Sequence, residues 1–347
     1  MKAAVYEQFR QPMEIREVAD PSVPDDGVVL AVGATGLCRS DWHGWMGHDA
    51  DIRLPHVPGH EIAGRIEAVG ADVRRFRCGE RVTLPFVCGC GRCPQCVSGQ
   101  QQVCDHQFQP GFTHWGSFAE FVAIRHADDN LVRLPDELDF ERAASLGCRF
   151  ATAYRAVVDQ ARLRSGEWIA VHGCGGVGLA AIAIASARGA RAIGIDPSPG
   201  ALALAERLGA EHCIDGARQV PVAQAVRELT GGGAQVSMDA FGSAETFRQS
   251  IDCLAKRGRH VQVGLMTGAA AESPVPAARI IAEELEILGS HGMQAHRYPE
   301  MLELVSGGRI DLELLAGRSL SLEEGAAIIG SRELRLPSGI SVINRFD

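Results

Sequence analysis

Residues 168–178 read WIAVHGCGGVG, an apolar run followed by a loop that has the G-x-G-x-x-G pattern. An Ala/Ile-rich stretch follows the loop, and a second apolar run, 192–195, ends in Asp196. A strand, such a loop, a helix and an acid about 20 residues further on together indicate a dinucleotide-binding βαβ unit rather than a merely structural turn. The first N–H groups of the helix can donate to a pyrophosphate. The candidate cofactor-binding residues are Gly173, Gly175, Gly176, Val177 and Gly178.

The carboxylate of Asp196 indicates which dinucleotide is bound. It can accept hydrogen bonds from the adenosine ribose hydroxyls, whereas a 2′-phosphate would meet a like charge. The sequence therefore predicts NAD rather than NADP. Arg191 stands close enough in sequence to leave NADP open.

Six apolar runs follow one another through the middle of the chain and predict a doubly wound parallel sheet. The runs are 168–172, 192–195, 212–214, 235–240, 259–264 and 286–289. This domain is predicted to span residues 153–290. Before it, residues 1–152 carry the short runs 28–32, 62–69, 81–84 and 118–124 between Gly, Pro and Asp turns, a pattern typical of an all-β barrel. A helix-period stretch over 156–164 precedes the first run of the parallel sheet and predicts a helix there. The tail, 291–347, is expected to return to the β-rich domain.

Four thiols within residues 88–104, CGCGRCPQCVSGQQQVC, have metal-ligand spacing. They read C-x2-C-x2-C-x7-C on a Gly/Pro-rich loop, and zinc takes four thiolates in a tetrahedron. Disulfides or plain buried thiols are the alternative. A four-thiolate site is closed and has no open position for chemistry. The predicted structural zinc lobe covers about residues 85–108, with ligands Cys90, Cys93, Cys96 and Cys104, and Cys88 is not one of the ligands.

Two further segments carry potential ligands and proton carriers. GLCRSDWHGWMG brings Cys38, Ser40, Asp41 and His43 within six residues, and PHVPGHEIAG contains His60 and Glu61. A catalytic zinc needs three protein ligands and an open position. Cys38 and His60 supply two ligands, so the third is missing from the pattern. Taken singly, each could be a buried structural residue.

The composition excludes several classes of function. The 347 residues carry a net charge of −9, and the only lysines are Lys2 and Lys256. Nucleic acids and anionic membranes need clustered basic residues, so neither is an expected partner. The start, MKAAVYEQFR, has no apolar signal segment, and no apolar run approaches the roughly 20 residues of a membrane span. The eleven cysteines therefore indicate a reducing cytoplasm.

Taken together, these motifs resemble the zinc-dependent alcohol dehydrogenases of the medium-chain dehydrogenase/reductase family. The resemblance spans nearly the whole chain and rests on GLCRSDWH, PHVPGHEIAG, GERV, the cysteine loop, the 148–154 segment and GCGGVG with Asp196. It implies an α/β and β fold class, with a GroES-like β-barrel catalytic domain and a Rossmann doubly wound parallel sheet. It also implies two zinc ions per chain, a Cys2His catalytic set being established for alcohol dehydrogenases.

The resemblance further implies the roles of individual residues. Cys148 matches the third catalytic zinc ligand, beside Cys38 and His60. Glu61 matches a carboxylate that can approach the metal, and Asp41 matches the acid that orients the ligand histidine. Hydride transfer to NAD requires a zinc-bound alcohol to become an alkoxide, and Ser40 and His43 match the relay that removes its proton. Thr152 matches the residue behind the nicotinamide ring, and Arg39 matches a pyrophosphate contact.

The substrate is less well defined by the sequence. By family position, Trp45, Phe86 and Trp115 are expected to line an alcohol pocket, whose bulk favours primary or modest secondary alcohols, although a core role is the alternative for each tryptophan. Polyol, threonine and formaldehyde dehydrogenases of the same family remain open. So does a non-enzymatic zinc-binding protein on this fold. A zinc-free reductase would need neither metal cluster. The length is most similar to the tetrameric microbial branch, which implies a homotetramer.

Overall fold

The computed structural model describes residues 1–217, 221–334, 336 and 339–346. These residues form two compact units. The first unit comprises Met1–Ala151, Gly292–Leu302 and the described residues from 316 onward. The second comprises Thr152–His291, with the gap at 218–220, and Glu303–Leu315.

The first part of the chain is rich in strands and contains only short helices. Its strands are β1 (Lys2–Val5), β2 (Glu14–Glu17), β3 (Val28–Gly36), β4 (Ile62–Val69), β5 (Arg81–Thr83), β6 (Phe121–Ile124) and β7 (Val132–Arg133), and its helices are α1 (Arg39–Trp45), α2 (Pro94–Val97), α3 (Ala127–Asn130) and α4 (Phe140–Ala144). A π-helical turn, Leu146–Phe150, then leads into α5 (Ala151–Arg155), and a second one, Ala156–Gln160, follows it.

The middle of the chain alternates strands and helices. The elements are β8 (Trp168–His172), α6 (Gly176–Ala187), β9 (Arg191–Asp196), α7 (Pro199–Arg207), β10 (Ala210–Asp215), α8 (Val222–Thr230), β11 (Ala234–Asp239), α9 (Ala244–Asp252), β12 (Leu254–Gln262), α10 (Ala277–Glu283) and β13 (Glu286–Gly289). The tail adds α11 (Tyr298–Ser306), α12 (Leu312–Leu315), β14 (Ala316–Ser321), α13 (Leu322–Ile329) and β15 (Ile340–Arg345). Among the described residues, none of these helices is long and apolar enough to span a bilayer.

The first unit is organised around β3. This strand pairs antiparallel with β4, β6 and β15, within a sheet of order β14-β15-β3-β4-β5-β7. Its residues VVLAVGATG are almost all buried. A strand buried on both faces reads as a continuous apolar run, which is why it was recognisable in the sequence as the run 28–32.

The second unit contains a parallel six-stranded sheet of order β10-β9-β8-β11-β12-β13. This is the 3-2-1-4-5-6 order of a dinucleotide-binding sheet, and the first strand, β8, leads directly into the glycine loop. All six predicted strands are present, and two of them, β8 and β13, have the predicted bounds.

Two predictions about this part of the chain differ from the structure. A regular helix was predicted over 156–164, but the structure has a π-helical turn that ends at Gln160, and Arg162 has a positive φ of 51°. The predicted single return of 291–347 to the first unit also differs, because Glu303–Leu315 groups with the second unit. The physical reason is that α6 is apolar on all sides and needs cover, and α12, with Leu312 and Leu315 buried, packs against it.

Candidate functional site

Cys38 lies between β3 and α1 and caps the helix. Its backbone is extended (φ −115°, ψ 151°), and its Sγ accepts a hydrogen bond from Ser40 N at 3.5 Å. Its own N–H donates to Asp41 Oδ2 at 3.0 Å, which completes a capping box. The segment that starts the helix therefore also fixes the position of the thiol.

Asp41 connects this cap to His60. Its second oxygen, Oδ1, accepts hydrogen bonds from Gly59 N at 3.0 Å and from His60 Nδ1 at 2.9 Å. Both Asp41 and His60 are buried. Because Nδ1 is committed to the carboxylate, the imidazole turns Nε2 toward Cys38 and Cys148.

Cys38, His60, Glu61 and Cys148 converge, with one ligand atom of each lying within 4.8 Å of all the others. His60 Nε2 is buried and has no hydrogen-bond partner among the described residues. A buried nitrogen left without a partner costs free energy, which a metal at that position would recover. Two thiols and an imidazole are the donor set that suits zinc, so these residues fit a catalytic zinc ion.

Electrostatics around the two thiols favours one thiolate even without metal. A hydrogen bond from Cys148 holds the pKa of the buried Cys38 thiol well below its usual range, and the pKa of Cys148 is raised because it retains the shared proton. Burial lowers the pKa of His60, but the Asp41 carboxylate and the Cys38 thiolate together outweigh burial and raise it overall. The site is therefore prepared to exchange protons for a divalent cation.

Arg149 was missed in the sequence and is the main addition made by the structure. Its backbone N–H and Nε both donate to Glu61 Oε1 at 3.0 Å, and a guanidinium nitrogen contacts Oε2. Burial raises the pKa of Glu61, although the guanidinium opposes this. A Cβ on Gly36 would lie 2.0 Å from Glu61 Oε2, so only glycine leaves room for this carboxylate. The available signal was the position of Arg149 directly after Cys148.

The predicted relay residues lie on α1, beside the cluster. Ser40 and His43 are half-buried, whereas Arg39 is exposed at the first residue of the helix. Burial, together with Arg39 and His48, lowers the pKa of His43 to about 4. His43 is therefore neutral near pH 7 and able to accept a proton.

The aromatic residues that were predicted to line the substrate pocket lie in different environments. The Phe86 ring lies 6.0 Å from the His60 ring, and Phe112, which the sequence reading did not assign, lies 4.9 Å from it. Trp115 is 38% exposed and donates to Pro55 O at 2.9 Å. Trp45, however, is 1% exposed and donates to Gln11 O, so its expected pocket role is replaced by a core role. The reason is that its position on α1 faces the apolar core formed with β1 and the tail.

The second cluster contains the four cysteines of the lobe, all buried. Cys96 N donates to Cys93 Sγ at 3.5 Å, and Cys90 N and His106 N donate to Cys104 Sγ at 3.3 and 3.2 Å. The Cys96 N–H is the main cause that lowers the pKa of Cys93 to about 6. Backbone donors aimed at sulfur stabilise thiolates, so these residues fit a structural zinc ion. Cys88 lies outside the cluster, and its thiol donates a hydrogen bond to Pro85 O.

The glycine loop of the second unit has the geometry that the motif requires. Gly173 has φ +92°, and a Cβ on Gly178 would lie 1.9 Å from Gly173 O. A Cβ on Gly175, the residue before α6, would meet nothing within 4 Å. That open space in front of a helix N-terminus fits a pyrophosphate. Gly176 and Val177 form the first turn of α6.

Asp196 ends β9 beside this loop. Its Oδ2 accepts from Cys174 N and its Oδ1 from Ser198 N, each at 2.8 Å. These bonds hold the carboxylate at the carboxyl end of the sheet, where dinucleotides bind. Thr152, at the start of the second unit, is buried.

Comparisons with known proteins agree with this geometry. A family model described as an alcohol dehydrogenase GroES-like domain matches residues 24–136, and one described as a zinc-binding dehydrogenase matches residues 176–307. An alcohol dehydrogenase of Geobacillus stearothermophilus is 33% identical over 312 residues, which are 89% of this chain and 90% of the relative. The chain belongs to the zinc-type medium-chain alcohol dehydrogenases.

Other members of this family match over almost their whole length. An NAD-dependent alcohol dehydrogenase of Sulfurisphaera tokodaii is 31% identical over 96% of each chain. The structure of an alcohol dehydrogenase from Thermus sp. ATN1 aligns with a TM-score of 0.90 and 30% identity, and covers 100% of both chains. Sorbitol dehydrogenases are also among the relatives, at 30% and 32% identity. This alcohol dehydrogenase is therefore an oxidoreductase whose family uses zinc and NAD, with a GroES-like domain and a Rossmann-like parallel sheet.

Proposed function

We propose that this alcohol dehydrogenase oxidises primary or secondary alcohols to aldehydes or ketones, reversibly, with NAD and with two zinc ions per chain. The observation that carries the proposal is the convergence of Cys38, Cys148 and His60, whose Nε2 has no hydrogen-bond partner among the described residues. An alcohol substrate needs a site of this kind, in which a proton and a hydride can be removed from one carbon–oxygen unit.

In this proposal the three converging residues hold the catalytic zinc. Zinc there would supply a Lewis acid that promotes loss of the alcohol proton. The two thiols lose their protons and provide negative charge, and Asp41 keeps the Nε2 lone pair of His60 available by accepting from Nδ1. Glu61, held by Arg149, is the fourth residue of the cluster and places a carboxylate beside these three donors. Cys90, Cys93, Cys96 and Cys104 would hold the second zinc.

The alcohol proton leaves through α1. Ser40 accepts the proton of the alcohol oxygen while its own hydroxyl proton passes on toward His43. The imidazole of His43 is neutral near pH 7 because burial lowers its pKa to about 4, so it offers a lone pair for that proton.

NAD would accept the hydride when bound to the second unit. Gly173, Gly175, Gly176, Val177 and Gly178 approach the pyrophosphate, and Asp196 accepts from the ribose hydroxyls. Arg39 and Thr152 are proposed as further cofactor contacts. The Asp196 charge disfavours a 2′-phosphate, which supports NAD over NADP.

The substrate pocket is proposed to be aromatic. Phe86 and Phe112 border His60, and bulky rings next to the reacting carbon favour primary or modest secondary alcohols. Trp115, partly exposed, is proposed to contribute at its edge. Polyols are the second candidate, favoured by the sorbitol dehydrogenases among the relatives.

The oligomeric state and location are also proposals. A homotetramer is supported by the exposed apolar side chains of Val275 and Ile281, which are 47% and 79% exposed and precede the edge strand β13 in the sequence. A cytoplasmic location is supported by the eleven cysteines, all of them free thiols.

One experiment tests the reaction and the metal assignment together. Reduction of NAD and of NADP is measured with primary alcohols, secondary alcohols, sorbitol, threonine and formaldehyde, and zinc is quantified in the wild type, Cys148→Ser and the control Cys88→Ser. We expect turnover with simple alcohols and NAD, and loss of one of two zinc ions only in Cys148→Ser. Absence of turnover with every substrate, or full activity of Cys148→Ser with two zinc ions, would refute the proposal.

A further inference from the structure

His43 and His48 form a direct imidazole pair at the end of α1. Their Nδ1 atoms are 3.0 Å apart, and His48 N donates to His43 O at 3.0 Å, so the turn after the helix sets their spacing. Trp42 packs edge-on against both rings, with centroid distances of 5.1 and 6.0 Å. The Trp42 indole N–H donates to Ser331 O at 2.9 Å, which anchors this side of the pair.

Two Nδ1 atoms at this distance must share one proton, because one ring has to donate and the other to accept. When His43 carries the Nδ1 proton, its Nε2 has a free lone pair. A proton that arrives at Nε2 then makes the Nδ1 proton acidic and directs it to His48. The pair is therefore arranged to conduct a proton along its length.

Burial and charge give this path a direction. His43 is half-buried, whereas His48 is exposed and in contact with water. The groups that act on His43 are Arg39 on the same helix and His48, which both disfavour its charged form, and Cys38 at the helix cap, which favours it. The segment that packs on Trp42 contributes the carbonyl oxygen of Ser331, which accepts the Trp42 indole N–H. A positive charge is thus disfavoured on the half-buried His43, and the path leads from it to the exposed ring of His48.

We propose that His48 receives the proton from His43 and releases it to water, as a second carrier in alcohol oxidation. An N–H bond forms at His43 Nε2, the shared proton moves from His43 Nδ1 to His48 Nδ1, and the proton at His48 Nε2 leaves to water. Between turnovers His43 releases its Nε2 proton, His48 takes up a proton at Nε2, and the shared proton returns from His48 Nδ1 to His43 Nδ1, which restores the starting tautomers. The inference rests on the proposed function, because it needs a substrate proton to remove. His48 acts through His43 and does not touch the substrate.

The test compares zinc-loaded wild type, His48→Gln and a control, His296→Gln, which alters another exposed histidine in the first unit. Alcohol oxidation is followed from pH 6 to pH 9, with and without added imidazole. We expect kcat of His48→Gln to fall about tenfold at pH 6 and less than about twofold at pH 9, where solvent can accept the proton directly. Added imidazole should restore much of the loss in this variant and leave the control unchanged.

A second readout does not depend on turnover. Long-range proton–nitrogen NMR of the histidine rings should show a hydrogen-bonded Nδ1 proton shared by His43 and His48, and its loss in His48→Gln. Equal pH profiles for the three proteins, or ring signals showing no shared proton, would overturn the inference. Failure of the proposed function differs from failure of this inference, because in the first case the wild type itself reduces no NAD. The NMR measurement then decides by itself whether His43 and His48 share a proton.

Discussion

Asp41 connects most of the first candidate metal site through one buried carboxylate. One oxygen accepts from the backbone of Cys38, and the other accepts from Gly59 N and from the His60 ring. A single side chain thus sets both the helix cap and the tautomer of a ligand 19 residues further along the chain. Asp41 therefore couples the capping of α1 to the orientation of the His60 ring.

The Arg149–Glu61 pair leads to a stability prediction. Replacing Arg149 with Met leaves the buried Glu61 carboxylate without its guanidinium, and we expect the free energy of unfolding to fall by about 3–5 kcal/mol. As a control, Arg142→Met removes the pair with Asp139, whose side chains are 41% and 53% exposed, and should cost at most about 1 kcal/mol. Urea unfolding of both variants provides the measurement. Similar losses in the two variants would contradict a special role for Arg149.

The cysteine lobe is attached to the first unit at its base. Cys88 and Phe108 exchange backbone hydrogen bonds at 2.8 and 2.9 Å, and Asn130 holds both backbone groups of Gly89. The turns between these anchors contain almost no regular structure apart from α2. The proposed zinc would therefore supply the cross-links that a loop of this length cannot obtain from packing.

The glycine loop permits a matched comparison at the element scale. Gly175→Ala places a Cβ in open space, so folding stability should be unchanged while the dissociation constant for NAD rises about tenfold or more, because the methyl group occupies the pyrophosphate position. Gly178→Ala places a Cβ 1.9 Å from Gly173 O and should instead lower the unfolding midpoint. Titration of NAD by calorimetry and urea unfolding separate the two effects. Normal NAD affinity in Gly175→Ala would show that the cofactor does not approach this loop.

At the scale of the whole molecule, the second unit contains an unusual pair of buried histidines in its parallel sheet. His172 lies on β8 and His260 on β12, and both are fully buried. Burial lowers the pKa of His172 to about 3 and that of His260 to about 4. Ser250 Oγ pairs with His260 Nδ1 at 2.9 Å, so the sheet holds this ring as a neutral hydrogen-bonding group.

These histidines predict a loss of stability in acid. Both pKa values lie below the unfolded value of about 6.5, so their contribution to stability is complete above pH 6.5 and is lost as pH falls toward 4 and 3. At pH 5 each of the two histidines should lower the free energy of unfolding by about 2 kcal/mol relative to its value above pH 6.5. His260→Gln should therefore lose less stability between pH 7.5 and 5 than the wild type, by about 1–2 kcal/mol, whereas His296→Gln should match the wild type. Urea unfolding at the two pH values tests this, and equal losses in His260→Gln and wild type would contradict it.

Individual strands were predictable where an apolar run stands between turn residues. Strands β4, β8 and β13 were predicted with the observed bounds, because apolar runs between turn residues are local signals. Strand β14 was not predicted. Its sequence, AGRSLS, is mostly exposed and joins the sheet only through its parallel pairing with β15.

By itself, the sequence determined the glycine loop, the acid after the second strand of the parallel sheet and the four-cysteine spacing. Each is read within a short segment, because a tight turn or a single loop brings its residues together. It also placed Cys38 near Asp41, but spacing alone left the third zinc ligand open, and Cys148 came from family resemblance.

Only the tertiary structure decided which distant residues meet. It joined Cys148 to Cys38 and His60, paired Arg149 with Glu61 and placed Trp45 in the core. These outcomes depend on the direction of side chains from elements that are distant in the sequence, and spacing along the chain carries no information on that direction. The proton path through His48 is of the same kind, because the turn after α1, and not a motif, brings the two rings together.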